Sequence, residues 1–308
     1  MGSLTKFFLL AYAIAWTFFI AAIFTGRPAV FVPGIFAPAI VALWLTARAE
    51  GWPGARALLR RVLLWRAGWQ WYAFAIAYMA AIKLAVALAY RLARGAWPHF
   101  GNTAWYVMVA AIVISTPFQA GEEIGWRGYA LPRLAARFGF ANASILLGVI
   151  WACWHLPQFF VTGADTLGQS FPLFLIEVTA LSVALAWLYV RTNGSLLLTM
   201  LMHSAVNQTK DIVPSSVAGA TNPFALSTSL VAWLTAALLW ICAGYFLVRM
   251  AHTERGRLAR SGRASRAAAY DSRRAGRSAT AAGTAALPYL QRVTASIVTS
   301  SPGGVSPM

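Results

Sequence analysis

Charge is what this sequence has least of. Of its 308 residues only 11% are charged, against roughly 25% in soluble globular chains. Acidic side chains are the scarcest, eight against 25 Lys and Arg. A chain that is 59% hydrophobic cannot bury that surface in one soluble core, so a bilayer is its natural solvent. Cysteine is also nearly absent. Cys153 and Cys242 both lie within apolar runs, which excludes a disulfide framework and leaves them as small packing residues. Several hydrolase signatures are missing. There is no His-Glu-x-x-His zinc helix and no Gly-x-Ser-x-Gly nucleophile elbow. Neither cysteine has a general base near it in sequence, and Asp165 and Asp211 fall in loops, not as an intramembrane aspartate pair. No folded nucleic-acid recognition module accompanies the net charge of +17, so nucleic acid is not an expected partner.

What is present is a series of long apolar runs with Trp and Tyr near their ends, as interfacial belts require. The expected fold is all-α: a polytopic bundle of about eight transmembrane helices near 4–25, 29–48, 69–92, 102–121, 141–160, 171–190, 195–210 and 225–249. The apolar stretch within residues 1–25 exceeds a signal-peptide core of about 7–15 residues and reads as a retained first span. Arg48, Arg56, Arg60, Arg61 and Arg66 cluster between the second and third spans. Residues 55–66 read as a short amphipathic helix on the membrane surface. By the positive-inside rule that loop is cytoplasmic, which puts both termini, Arg127, Arg133, Arg137 and Arg191 towards the cytoplasmic side. Lys83 falls inside the third span, where it either snorkels or faces the bundle interior. The chain divides into a membrane domain, 1–250, and a basic Arg-, Ala- and Ser-rich tail, 251–308, whose composition predicts disorder and contact with anionic lipid headgroups.

The few polar residues inside the spans carry the chemistry, because an ionisable group in a bilayer is costly to keep. Glu122 and Glu123 are adjacent, in QAGEEIGWRGYALPR. Glu123 and Arg127 are spaced i,i+4 and so share a helical face and pair, which leaves Glu122, about 100° round the helix, for another task. If the helix carrying the glutamates turns at Gly139, the next span returns antiparallel to it. Glu122 lies seventeen residues before Gly139 and His155 sixteen after it, so both stand about 25 Å from the turn and level with one another. His203 and Asn207, in TMLMHSAVNQT, are again i,i+4 and point the same way. Two arrangements suit peptide-bond hydrolysis. A carboxylate and an imidazole would deprotonate water while an imidazole and an amide hold an oxyanion. Alternatively, Glu122, His155 and His203 would ligate a zinc ion that lowers the pKa of water.

In this order the motifs Glu122-Glu123-Ile124-Gly125-Trp126-Arg127, Trp151-Ala152-Cys153-Trp154-His155 and His203-Ser204-Ala205-Val206-Asn207 resemble those of the CAAX prenyl protease 2 and bacteriocin-processing (CPBP, Abi) family. The resemblance covers about residues 100–210. It implies an all-helical intramembrane endopeptidase, grouped with metalloproteases, that acts on a peptide or lipidated protein near its C-terminus. It further implies that Glu122 and His155 activate water, that His203 and Asn207 stabilise the oxyanion, and that Glu123 and Arg127 support them. Trp151 departs from the family, where phenylalanine is more usual, and reads as a change in packing more than in chemistry. Competing functions are a non-catalytic membrane scaffold or bacteriocin-immunity protein, and a proton-coupled transporter, although no inverted repeat is visible. The expected location is a bacterial cytoplasmic membrane, with membrane lipid as a partner.

Overall fold

In a bilayer every backbone polar group must be satisfied within the chain, and this chain does so with helices alone. The computed structural model describes residues 2–216 and 222–254, and among them there is no strand. Helix α1 (Ser3–Thr25) is followed by tight turns over 28–35, and α2 (Ala37–Arg60) bends at Gly51. Helix α3 (Trp69–Arg94) is the longest unbroken one at 26 residues, about 39 Å. Helix α4 (Trp105–Ser115) runs through a 3₁₀ turn, one α-helical turn and a π-helical stretch, Ile124–Ala130, into α5 (Leu131–Trp154). Then come α6 (Phe171–Arg191), α7 (Leu196–Thr209) and α8 (Leu230–Glu254).

Among the described residues six stretches are long and apolar enough to cross a membrane. Helices occupy all eight expected positions, but two of those spans, 102–121 and 141–160, lie in one apolar stretch, Trp105–Phe160. Helix α7 has only 14 residues, about 21 Å, and falls short of the ~30 Å hydrocarbon core. It survives because its neighbours bury it, and because Ser195 Oγ caps its N-terminus by accepting the Leu198 N–H at 3.3 Å. The expected surface helix over 55–66 is the end of α2, continued by a 3₁₀ turn to Leu63, with Ala55 and Leu58 turned inward and Arg56 and Arg60 outward. Lys83 faces the interior, where its Nζ donates to Ser215 Oγ at 2.6 Å and Thr235 Oγ1 at 3.1 Å. The tail begins later than expected, since 251–254 continue α8, and residues 255–308 lie outside those described.

The reversal at Gly139 positions the site. Gly139 adopts φ +75° and ψ 160°, a left-handed conformation that breaks α5 into residues 131–138 and 140–154. Pro132 does not end the helix: it stands where the π-helical stretch passes into α5, and the α-helix continues beyond it to Phe138. The returning half packs along α6. Contact is close at Gly148, where a Cβ would lie 2.7 Å from the Thr179 Cα. Ser182 Oγ donates to the Ser144 carbonyl at 2.9 Å nearby.

The bundle has two ends, each tied by contacts between connections. At one, Arg61 Nη1 donates to Tyr189 Oη at 2.5 Å, Ser195 Oγ donates to the Leu64 carbonyl at 2.6 Å, and Arg133 pairs with Glu50 at 3.4 Å. At the other, the Gly101 N–H donates to the Ile212 carbonyl at 3.1 Å, Lys210 pairs with Asp165 at 3.1 Å, and the Phe171 N–H donates to the Pro223 carbonyl at 2.7 Å.

Gly148→Leu drives its side chain into the α6 backbone, which cannot yield as a flexible side chain can. We predict a loss of about 1–3 kcal/mol, read as a lowered Tm of the detergent-purified protein. An unchanged Tm would show that the α5–α6 contact is not close.

Candidate active site

Two carboxylates enter the bundle side by side and are handled differently. Glu123 is fully buried, and its Oε1 accepts from Arg127 Nη1 at 2.7 Å and from His203 Nδ1 at 2.9 Å. The i,i+4 pair expected from sequence is therefore formed, and a third partner from α7 completes it. Arg127 is also fully buried and lies flat against Trp151, its Cζ 4.1 Å from the ring centroid.

Glu122 points elsewhere, as its position round the helix requires. Its Oε2 accepts the Trp151 indole N–H at 2.6 Å and stands 3.9 Å from His155 Nε2. Thirty-three residues separate Glu122 from His155, about 50 Å along a straight helix, so the reversal at Gly139 brings them together. The His155 ring is oriented by its other nitrogen, Nδ1, which lies 2.8 Å from the Trp151 carbonyl. A carbonyl only accepts, so Nδ1 carries the proton and the Nε2 lone pair faces Glu122. A water bonded to both at ~2.8 Å would span the gap with an angle of about 90° at its oxygen.

Glu122, His155, His203 and Asn207 line one cavity of about 330 Å³. Among the described residues Asn207 has no side-chain hydrogen bond that would turn it away from that space. All six residues expected from sequence are thus brought together: four on the cavity, with Glu123 and Arg127 behind His203. His99 and His252 lie apart, one in a loop and one at the end of α8.

The zinc alternative is less well served. His203 Nδ1 is given to Glu123, so only its Nε2 could join Glu122 and His155 as a ligand. Among the described residues no three His, Cys, Asp or Glu side chains group so as to hold a metal ion. Glu122, His155 and His203 therefore do not converge as a three-ligand set.

Two features were missed in the sequence. Trp151 was read as a packing change, but it is the hub of the site. Its indole N–H holds Glu122, its carbonyl holds His155, and its ring meets Arg127 and His203, the latter edge-to-face at 5.2 Å. The available signal was chemical, since tryptophan brings a donor that phenylalanine lacks. Glu177, on α6, lines the same cavity with a buried Oε1 that has no hydrogen-bond partner. An acid in the middle of an apolar run was signal enough.

Arg127→Met would leave Glu123 buried with its counter-charge reduced. We predict a loss of about 3–5 kcal/mol in thermal unfolding, largely restored when Glu123→Gln is added. Equal destabilisation by the single and double variants would show that the pair is not the stabilising unit.

Residues 101–209 match the family model for type II CAAX prenyl endopeptidases, Rce1-like. A curated relative, CAAX prenyl protease 2 of Methanococcus maripaludis, is 30% identical over 98 residues. The aligned stretch covers 30% of this chain and 36% of the relative, so it spans about a third of that protein's length. The matched residues hold all three motifs, both glutamates and both site histidines. Over residues 101–209 this multi-pass membrane chain is thus similar to the Rce1-like type II CAAX prenyl endopeptidases, the resemblance its motifs carry.

Proposed function

We propose that this protein is an intramembrane endopeptidase that hydrolyses a peptide bond of a membrane-associated substrate with water activated by Glu122 and His155. The observation that carries the reading is the pair itself: a carboxylate oxygen and an imidazole lone pair 3.9 Å apart on the wall of a cavity. Both are acceptors, and a water has two protons to offer them. Its own lone pair is then free to attack a carbonyl carbon from the cavity side. Glu122 takes the proton as the C–O bond forms and passes it to the departing amine as the C–N bond breaks.

The oxyanion needs donors where the negative charge develops. Asn207 offers its amide N–H₂. His203 has its Nδ1–H given to Glu123, so it donates from Nε2 only as the imidazolium, and Glu123 supplies the counter-charge. Arg127 balances Glu123 from the other side. In this reading Glu123 and Arg127 are positioning residues, and Glu122, His155, His203 and Asn207 are the catalytic ones. Nothing in these steps requires a metal, although zinc remains the classification the resemblance carries. A CAAX-type peptide is the substrate class that the matched family's name suggests, and it is the first to test.

The test is cleavage of a quenched, farnesylated CAAX peptide by the purified protein in detergent. Glu122→Gln is expected to lower kcat at least ~100-fold with Tm unchanged, and Asn207→Ala about 100- to 1,000-fold. Cleavage is expected to survive a chelator. Retained cleavage in Glu122→Gln would overturn the assignment, and loss with chelator that zinc restores would favour the metal alternative. Trp151→Phe keeps the aromatic packing and removes the N–H, so kcat should fall about 10- to 100-fold through a misplaced carboxylate, with KM and Tm little changed. An equal fall in Tm would assign Trp151 to packing alone.

A further inference from the structure

The cavity wall carries polar side chains that the activation of water does not use. Gln119, Gln158 and Glu177 all line it. Among the described residues none of the three makes a side-chain hydrogen bond. Other polar side chains in the apolar segments are satisfied by the protein: Thr116 and Ser204 both donate to the Ile112 carbonyl, at 2.7 and 2.8 Å. A polar group kept from water is costly without a partner. Glu177 is the clearest case, because its Oε1 is buried and unpartnered. Lys83 acts on it through space, but the hydrogen bonds of that lysine go to Ser215 and Thr235.

Each of these groups stands one turn from a residue at the centre of the site. The Gln158 N–H donates to the His155 carbonyl at 2.8 Å, which closes a 3₁₀ turn, and side chains three apart in such a turn eclipse one another. Gln119 ends the 3₁₀ turn Thr116–Gln119, three residues before Glu122. On α6, Glu177 follows by one turn Phe174, whose ring meets that of His155 with 5.3 Å between centroids. Phe174, Glu177, Val178, Leu181 and Leu185 all line the cavity, at spacings that share one face of the helix. Three residues rise about 4.5 Å in an α-helix and about 6 Å in a 3₁₀-helix. An extended peptide covers that distance with one to two residues, at about 3.3 Å each. From this placement we infer that Gln119, Gln158 and Glu177 form a binding site for the main chain of the substrate, close to the scissile bond, in which Glu177 accepts one of the peptide N–H groups.

The inference rests on the endopeptidase reading for the position of the scissile bond, and it names what the wall recognises. Every residue of an extended peptide other than proline brings one N–H and one C=O. A glutamine amide answers either, whereas a carboxylate answers only the N–H. The three side chains therefore suit a peptide backbone whatever its sequence. Discrimination among side chains is left to the apolar part of the lining, such as Met79, Val178 and Leu181.

The test uses the full-length chain in detergent and the farnesylated CAAX peptide. Binding is measured in the Glu122→Gln background, so that the peptide is not consumed, and cleavage with Glu122 intact. A set of peptides replaces each backbone N–H near the scissile bond by an ester oxygen, one position at a time. One of these esters is expected to bind about 10- to 100-fold more weakly than the amide. Added Glu177→Leu should weaken binding of the amide peptide by a similar factor and abolish the discrimination against that ester. Glu177→Gln keeps an acceptor and should restore most of the affinity. In cleavage, Glu177→Leu should raise KM more than it lowers kcat. Esters that all bind as the amide does overturn the site without need of any variant, and would leave water as the partner of Glu177. Independent, additive losses from the ester and from Glu177→Leu, with a lowered Tm, also overturn it and assign Glu177 to the packing of α6. The two readings fail separately. Ester-sensitive binding without cleavage keeps the backbone site and removes the hydrolytic step, whereas Glu122-dependent cleavage with ester-insensitive binding does the reverse.

Discussion

The structure depends on holding one negative charge, Glu123, in a place with no water. An isolated carboxylate in so apolar a setting is prohibitively costly, and an ion pair offsets that cost only with good geometry. Glu123 has that geometry twice over, from an arginine one turn along its own helix and from a histidine on α7. Much else follows. Arg127 must also be buried, so its exposed face is covered by Trp151. His203 must reach Glu123, so α7 is drawn deep into the bundle although it is too short to cross. The helix that carries the pair passes through a π-helical turn with every residue from Ile124 to Ala130 buried, a widening often found at functional sites.

This arrangement also explains why two adjacent glutamates do not duplicate one another. Successive helical residues point about 100° apart, so a single helix sends Glu123 into an ion-pair network and Glu122 onto a cavity wall. The first fixes the position of the second. Glu122 is then aimed by one hydrogen bond from Trp151, and the same residue's carbonyl aims His155. The carboxylate and the imidazole are thus aimed by a single side chain and its own backbone.

Much of this was legible in the sequence, and the parts that were not have physical reasons. Hydropathy gave the helices because apolar length is the strongest signal a membrane chain carries. It reads composition and not depth, so it does not separate α7, at 14 residues, from the longer helices. The pairing of Glu122 with His155 followed from one glycine and equal arm lengths, since helical rise is constant. Trp151 was missed because a substitution of one aromatic for another looks like packing until a carboxylate is seen beside it. Glu177 was missed because it stands alone in its helix, with no partner at i±4 to mark it. The third partner of Glu123 was not foreseen either, since His203 lies eighty residues away and only tertiary packing brings it in.

Hydrolysis inside a membrane also requires water to reach the base, and the cavity shows how the chain provides for that. Bulk apolar lining alone would leave Glu122 dry. Asp165, Gln169, Glu177, Glu122 and His155 all line it, with Asp165 exposed and paired to Lys210. Glu177 is informative among them. Its buried Oε1 has no hydrogen-bond partner among the described residues, and a buried acceptor left unsatisfied costs about 1–3 kcal/mol. The scarce acids that mark the sequence are thus gathered on one cavity in an otherwise apolar bundle.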